Sequence, residues 1–302
     1  MTKPLTFLFL LTFLLNNLFS QDLKNLYFGE KVPGEEPKIF APGFISITNR
    51  IEGRGTFSPD CKEFYFTVSD PNFSNQKIFY SKNVNDNWII PDTASFSLKY
   101  GNWEPFFSNN GSKIYFTSNR NTDTIGNHKD FYCVERSDQE WSNPKILAAP
   151  INTQYTDLFF TETKTGSLYF CSNRPGGKGH TDLYHATKQK DGTYIIDNMG
   201  KPINRKLYDW DPCIANDESF IIYAGVRLLK IFHQADLYVT FRNGEKWTKP
   251  KRLGRLINTK ANEYGPFLSP DNKYLFFARL GKGTNGDIYW VDIKIIDTLR
   301  KN

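Results

Sequence analysis

The chain has 302 residues, a formal net charge of +6 and 23% charged residues, with Lys and Arg spread along its length and no basic block. That distribution argues against a nucleic-acid partner. Four cysteines (Cys61, Cys133, Cys171, Cys213) are too few and too scattered for a disulfide scaffold, and none has the C-x-x-C spacing of a zinc or redox site. On apolar strands they are expected to serve as small buried hydrophobes, with a single disulfide as the alternative.

In chain order, Lys3 precedes an apolar run from Leu5 to Leu15, and Ser20 follows as a small residue. This pattern predicts a secretory signal peptide over 1–20, too short to span a membrane as a helix. The mature chain is then expected to be exported, periplasmic or extracellular, without a membrane span. Residues 21–36, polar and punctuated by Pro33 and Gly34, read as a linker.

From there one unit recurs. Its marker is an acid, an apolar residue and Tyr: Asp130-Phe131-Tyr132, Asp182-Leu183-Tyr184, Asp236-Leu237-Tyr238 and Asp287-Ile288-Tyr289, preceded by a degenerate Lys77-Ile78-Phe79-Tyr80. The middle residues, at 78, 131, 183, 237 and 288, keep a pitch of 51 to 54. Each unit predicts four strands: a short apolar strand ending in a turn such as Ser58-Pro59-Asp60 or Ser269-Pro270-Asp271, an apolar-aromatic strand, the acid-apolar-Tyr strand, and a fourth strand. Trp88, Trp141 and Trp247, each three residues before a proline, mark that fourth strand in three units. Four strands at this pitch without helical periodicity predict an all-β, five-bladed β-propeller of four-stranded antiparallel blades.

The fifth unit ends without a Trp-x-x-Pro strand, while Pro37-Lys38-Ile39-Phe40-Ala41-Pro42 near the start closely matches Pro144-Lys145-Ile146-Leu147-Ala148-Ala149. An N-terminal strand is therefore expected to complete the C-terminal blade, leaving no open sheet edge. The alternative is that residues 294–302 pair as that strand or form a short helix. The domain is placed at 37–297, with 298–302 as a tail.

The combination Ser269-Pro270-Asp271, Arg279 and Asp287-Ile288-Tyr289 resembles the WD40-like PD40 repeat of the TolB-type propellers, over roughly residues 38 to 293. The resemblance implies a propeller fold and a role as scaffold, receptor partner or non-catalytic domain. TolB itself has six blades and an additional N-terminal domain, so its partners are not carried over. With no Gly-x-Ser-x-Gly elbow, the likeness to prolyl-peptidase propellers brings no catalysis with it.

Starts of first strands, ends of second strands and the long loops between strands two and three share one face. That face gathers acids in four blades (Glu104, Asp157, Asp211, Glu263), an aromatic near each (Trp103, Tyr155, Trp210, Tyr264), and Glu52 with Arg54 in the first. The four acids and the four aromatics are the candidate ligand-binding residues: crowded carboxylates bind cationic groups or acquire raised pKa values, and aromatic faces stack on sugars or peptide side chains. The competing expectation is that the carboxylates only accept backbone hydrogen bonds.

Arg120, Arg174, Arg227 and Arg279 are expected to pair with Asp130, Asp182, Asp236 and Asp287 as ties across each long loop. His128, His180 and His233 lie on loops of different blades, so no metal site is expected, nor a cofactor or catalytic set. Gly176-Gly177-Lys178-Gly179 reads as a flexible loop and not a phosphate cradle, since no helix follows it. The favoured function is a secreted, non-enzymatic module that binds a protein or glycan partner at the loop face and channel mouth; the alternative is a glycosidase-like hydrolase using the channel-mouth carboxylates.

Overall fold

The structure is a computed structural model and describes residues 26–120, 128–138, 140–228, 233–281 and 286–300, without the side chains of 227, 228 and 233. The proposed signal peptide lies outside the described residues. Nearly every element is a strand. The first unit holds Ile51–Phe57, Glu63–Ser69 and Gln76–Val84; the second Asn102–Phe107, Lys113–Ser118 and Asp130–Ser137; the third Asp157–Glu162, Leu168–Ser172 and Asp182–Lys188. The fourth holds Asp209–Ile214, Phe220–Leu228 and His233–Asn243, and the fifth Asn262–Leu268, Tyr274–Leu280 and Gly286–Asp292. Within each unit neighbours pair antiparallel in sequence order.

The fourth position is short for a reason visible in the residues. Where Trp-x-x-Pro occurs, the strand breaks into two-residue pieces, as in Glu140–Trp141 and Lys145–Ile146 on either side of Pro144, because proline has no N–H to give the ladder. The third unit lacks that proline and carries one continuous strand, Tyr194–Asn198.

The N-terminal strand behaves as its likeness to the second unit implies. Lys38 and Ile39 pair antiparallel with Trp290 and Tyr289 of the fifth unit, as Lys145 and Ile146 pair with Cys133 and Tyr132 in the second. The Phe40 amide then donates to the Ile288 carbonyl at 2.8 Å, matching Leu147 to Phe131 at 3.0 Å. The tail instead forms a 3-10 turn over Ile293–Ile296 and one α-turn over Asp297–Arg300. The expected linker needs correcting at its described end: Tyr27 is buried against Phe57, Tyr274 and Trp290, because its ring fills the seam that the N-terminal strand opens between the fifth and first units.

First strands pack against one another in chain order, and the first strand of the fifth unit packs against that of the first. The fold is thus a set of four-stranded antiparallel sheets of propeller type. Its core lies between adjacent sheets as aromatic and aliphatic clusters; one unites Phe40, Phe57, Phe64, Phe276 and Trp290 across the chain ends. Phe40 is wholly buried there, and removing such a ring costs about 3–5 kcal/mol. All four cysteines are free thiols. Among the described residues no helix is long and apolar enough to cross a membrane.

Candidate functional site

The site begins with a feature that the acid spacing hides. Five residues before a polar or acidic residue at the start of the register-shifted first strand stands a short polar side chain: Ser97 before Asn102, Asn152 before Asp157, Asn204 before Asp209 and Asn258 before Glu263. Each asparagine uses both ends of its amide on the apolar residue of the acid-apolar-Tyr strand. Oδ1 of Asn152, Asn204 and Asn258 accepts from the amides of Phe131, Leu183 and Leu237 at 2.8, 2.9 and 2.7 Å, and Nδ2 donates to the carbonyls of the same residues. Ser97 and Ser46 take the amides of Ile78 and Ile288 in the first and fifth units. Buried backbone groups of a strand demand a partner, and these clamps supply it.

The clamp loop turns into the first strand by bonding to its acid. The amides of Thr153, Arg205 and Thr259 donate to Asp157, Asp209 and Glu263 at 2.8, 2.7 and 3.2 Å. The same carboxylates hold arginines: Arg174 to Asp157 at 2.7 Å, Arg205 to Asp209 at 2.9 Å and Arg279 to Glu263 at 3.0 Å. In the first unit Arg50 meets Glu52 at 2.6 Å.

These pairs correct the expected Arg–Asp ties. Arg174 and Arg279 reach the first-strand acids, not Asp182 and Asp287, because their guanidinium groups also donate to clamp-loop carbonyls, Ile151 and Ile257, beside those acids. Arg120 bonds to Asn102 and not Asp130. Asp236 is instead held by both Nε and Nη2 of Arg252 at 2.7 and 2.6 Å. The side chain of Arg227 lies outside the described residues.

The four candidate acids consequently fall into two groups. Asp157 and Glu263 are wholly buried and ion-paired. Glu104 and Asp211 stand two residues beyond the Asn102 and Asp209 positions, at a register shift where the chain adopts positive φ: 60° at Glu104, 64° at Phe159, 53° at Asp211 and 58° at Gly265. A bulge of this kind re-aims side chains out of the sheet. The carboxyls of Glu104 and Asp211 feel each other's charge and share Arg54 as the neighbouring cation.

The electrostatics follow from burial. Arg54 is 2% exposed, and none of its three guanidinium nitrogens meets a protein hydrogen-bond acceptor; Glu104 Oε2, Asp211 Oδ1 and the Tyr264 hydroxyl are likewise buried without a protein partner. Desolvation pushes the Asp211 carboxyl up to about 7, against the opposing pull of the Gly265 amide, which donates to Oδ2 at 2.7 Å, and of Arg54. Glu104 is raised well above the ordinary carboxylate range, by burial first and by the Asp211 charge second. Two such carboxyls around one guanidinium titrate as a pair. Burial also lifts Glu52 to about 7, in spite of its bond to Arg50.

Arg54 divides the space around it. On the loop side a recess of about 30 Å³ is lined by Thr67, Trp103, Glu104 and Tyr264; on the turn side a cavity of about 190 Å³ is lined by Phe57, Phe107, Thr161, Cys213 and Phe267. The smaller recess has room for a water molecule or two.

Of the candidate aromatics, Trp103 and Tyr264 border this recess, and Lys129 lies 4.7 Å over the Trp103 ring. Trp210 is half-buried between two core clusters beside Tyr208, and Tyr155 is half-buried near Gln154. The structure therefore brings together Glu104, Asp211, Trp103 and Tyr264 with Arg54, and holds Asp157, Glu263, Tyr155 and Trp210 in their own units. His128 lies 3.4 Å from Asp130 and His180 stacks on Tyr208. The Gly176–Gly179 loop is neither free nor a phosphate cradle: the amides of Lys178 and Gly179 both donate to Asp182, and a Cβ on Gly179 would lie 2.3 Å from the Leu207 carbonyl.

No family model matches the chain, and no curated protein matches it in sequence. Solved structures do match in fold. An alpha-L-arabinofuranosidase from Lactobacillus brevis is 16% identical, with 81% of this chain and 92% of that one covered and a TM-score of 0.54. A thermostable family-43 glycoside hydrolase is 13% identical over 81% and 91%, with a TM-score of 0.51. TolB from Acinetobacter baumannii is 12% identical with a TM-score of 0.47; the match covers 78% of this chain but only 53% of TolB, about half its length. At these identities the likeness is one of fold.

Proposed function

We propose that this chain is an exported, five-bladed β-propeller of the PD40 type that works as a non-enzymatic binding module for a protein or glycan partner. Its proposed layout is a signal peptide over 1–20 and one domain over 37–297, with the ring shut by Lys38 and Ile39 on the fifth blade. The five-unit pitch and the cyclic packing of first strands support that closure. The partner binds the loop face and the channel mouth, where Trp103, Glu104, Asp211 and Tyr264 gather around Arg54.

The observation that carries the reading is the seclusion of the convergent carboxyls. A glycosidase needs an acid and a nucleophile or base on either side of a bound sugar. Glu104 and Asp211 share a buried guanidinium instead, and the recess beside Glu104 measures about 30 Å³, far below the several hundred Å³ of ordinary ligand pockets. Asp157 and Glu263 are committed to Arg174 and Arg279.

The glycosidase alternative draws on the likeness in fold to an arabinofuranosidase and on that same convergent pair. A glycan and peptide binding screen, run beside a hydrolysis assay on arabinofuranosides and other aryl glycosides, separates the two. Saturable binding without turnover is expected. Turnover that disappears in Glu104→Gln or Asp211→Asn overturns the binding-module reading in favour of hydrolysis.

A further inference from the structure

In the second unit the arginine at the end of the second strand lacks the carboxylate its counterpart in the third unit holds, and it faces a groove of about 490 Å³. Arg120 in the second unit makes nearly the same bonds as Arg174 in the third: Nε to a serine two residues back (Ser118 or Ser172) and Nη2 to a clamp-loop carbonyl (Phe96 or Ile151). The last bond differs in charge alone. Arg174 meets the carboxylate of Asp157 at 2.7 Å, whereas Arg120 meets the amide oxygen of Asn102 at 2.7 Å. Among the described residues Arg120 therefore keeps its geometry without a carboxylate to balance it.

That charge lies on a groove of about 490 Å³ between the first and second units. The groove runs from Arg120, at one end of the second strand, to Trp141 past the hairpin at the other end; Tyr80 and Tyr100 wall it, and Lys82 and Lys99 border it. Glu140 is the one acid of the lining. Lys77 fixes the wall by donating to the carbonyls of Leu98 and Tyr100, both at 2.9 Å. Arg120 and the exposed Lys99, with Lys82 standing 3.8 Å from Glu63, give the cleft a basic lining that suits a linear ligand with repeated negative charge.

We propose that this groove binds an acidic glycan, a linear oligosaccharide of hexuronate units, at a site separate from the channel mouth. Carboxylates of the sugar meet Arg120, Lys99 and Lys82, its ring faces lie on Tyr80, Tyr100 and Trp141, and its hydroxyls meet Ser95, Ser142 and Asn143. A sugar fits better than a strand-forming acidic peptide because such a peptide docks by adding to a free strand edge, while this cleft is walled by side chains from two sheets whose aromatic rings suit sugar faces.

The test is calorimetric titration of the full chain with a linear hexuronate hexasaccharide, its fully methyl-esterified form and a hexaglutamate peptide. The acid saccharide is expected to bind, with the ester and the peptide each weaker by about tenfold or more, the worth of one charge-assisted hydrogen bond. Lys99→Gln, at an exposed position that leaves the fold intact, and Asn102→Asp, which places a competing carboxylate on Arg120, are each expected to weaken binding several-fold. Equal affinity for ester and acid, equal affinity for the peptide, or unchanged binding in both variants overturns the proposal. None of these outcomes depends on the channel-mouth reading, whose variants lie at Glu104 and Asp211.

Discussion

Asp157 and Glu263, on one hand, and Glu104 and Asp211, on the other, occupy first strands of neighbouring units, yet they meet opposite surroundings. The first pair sits where the clamp loop enters the strand and receives an amide and an arginine each. The second sits two residues further, past a left-handed bulge, and faces the other carboxyl across one guanidinium. A step of two residues along the chain separates a carboxylate that holds the fold from one that the fold must tolerate. The difference is made by the backbone, not by residue type.

The comparison breaks most plainly at the held pair. Asp157→Ala strands Arg174 with its other bonds but no counter-charge, and removing one partner of a buried ion pair costs about 3–5 kcal/mol. Urea unfolding should register that loss; a change below about 1 kcal/mol, as for an exposed pair, would show that Asp157 does not hold the loop. Asn204→Ala is expected to come next, at about 1–3 kcal/mol, because it leaves the Leu183 amide and carbonyl without their partner.

The channel pair gives the opposite sign. Asp211 has a folded pKa near 7, above its ordinary value of 3.8, so the folded state binds more protons than the unfolded chain between those limits. Its contribution is fully present below the unfolded value and lost as pH rises through about 7, with a slope of at most about 1.4 kcal/mol per pH unit per group. Glu104 and Glu52 act in the same direction. Stability measured by thermal unfolding should fall from pH 4 to pH 7, and Asp211→Asn should flatten part of that fall. A fall of equal steepness in the variant would place the responsible titration elsewhere.

What the residues disclose before any coordinates follows from periodicity. The acid-apolar-Tyr marker recurs at a strand whose pairing is local, so the units and the match of Lys38-Ile39 to Lys145-Ile146 are legible in the chain. The site is less so, because aligning first strands by nearest acid puts Asp211 where Asp209 belongs. A bulge shifts the count by one residue, and positive φ at Glu104, Phe159 and Asp211 leaves no mark in residue type; only Gly265 hints at it. The better ruler is the short polar residue at Ser97, Asn152, Asn204 and Asn258, which keeps a constant five-residue distance to Asn102, Asp157, Asp209 and Glu263. The burial of Tyr27 is illegible for a related reason: a buried ring in a polar, Pro- and Gly-punctuated stretch carries no period.

The same ruler isolates Asn102, and the smallest expected effect tests whether the two groups differ by charge alone. Asn102 is wholly buried and already accepts from Arg120, so Asn102→Asp changes an amide to a carboxylate in the setting that Asp157 occupies in the third unit. The new ion pair gains Coulomb energy with Arg120, and the buried carboxylate loses hydration; the two nearly cancel, leaving a change within about 1 kcal/mol. The loop amides decide its sign. Asp157 is supported by the amide and hydroxyl of Thr153, whereas the aspartate at 102 would face a loop containing Leu98 in the equivalent place, with no hydroxyl to give. Thermal unfolding of Asn102→Asp beside the double variant Asn102→Asp, Leu98→Thr separates the terms: the double variant should be the more stable of the two, and equal stability would show that the arginine by itself sets the environment of the acid.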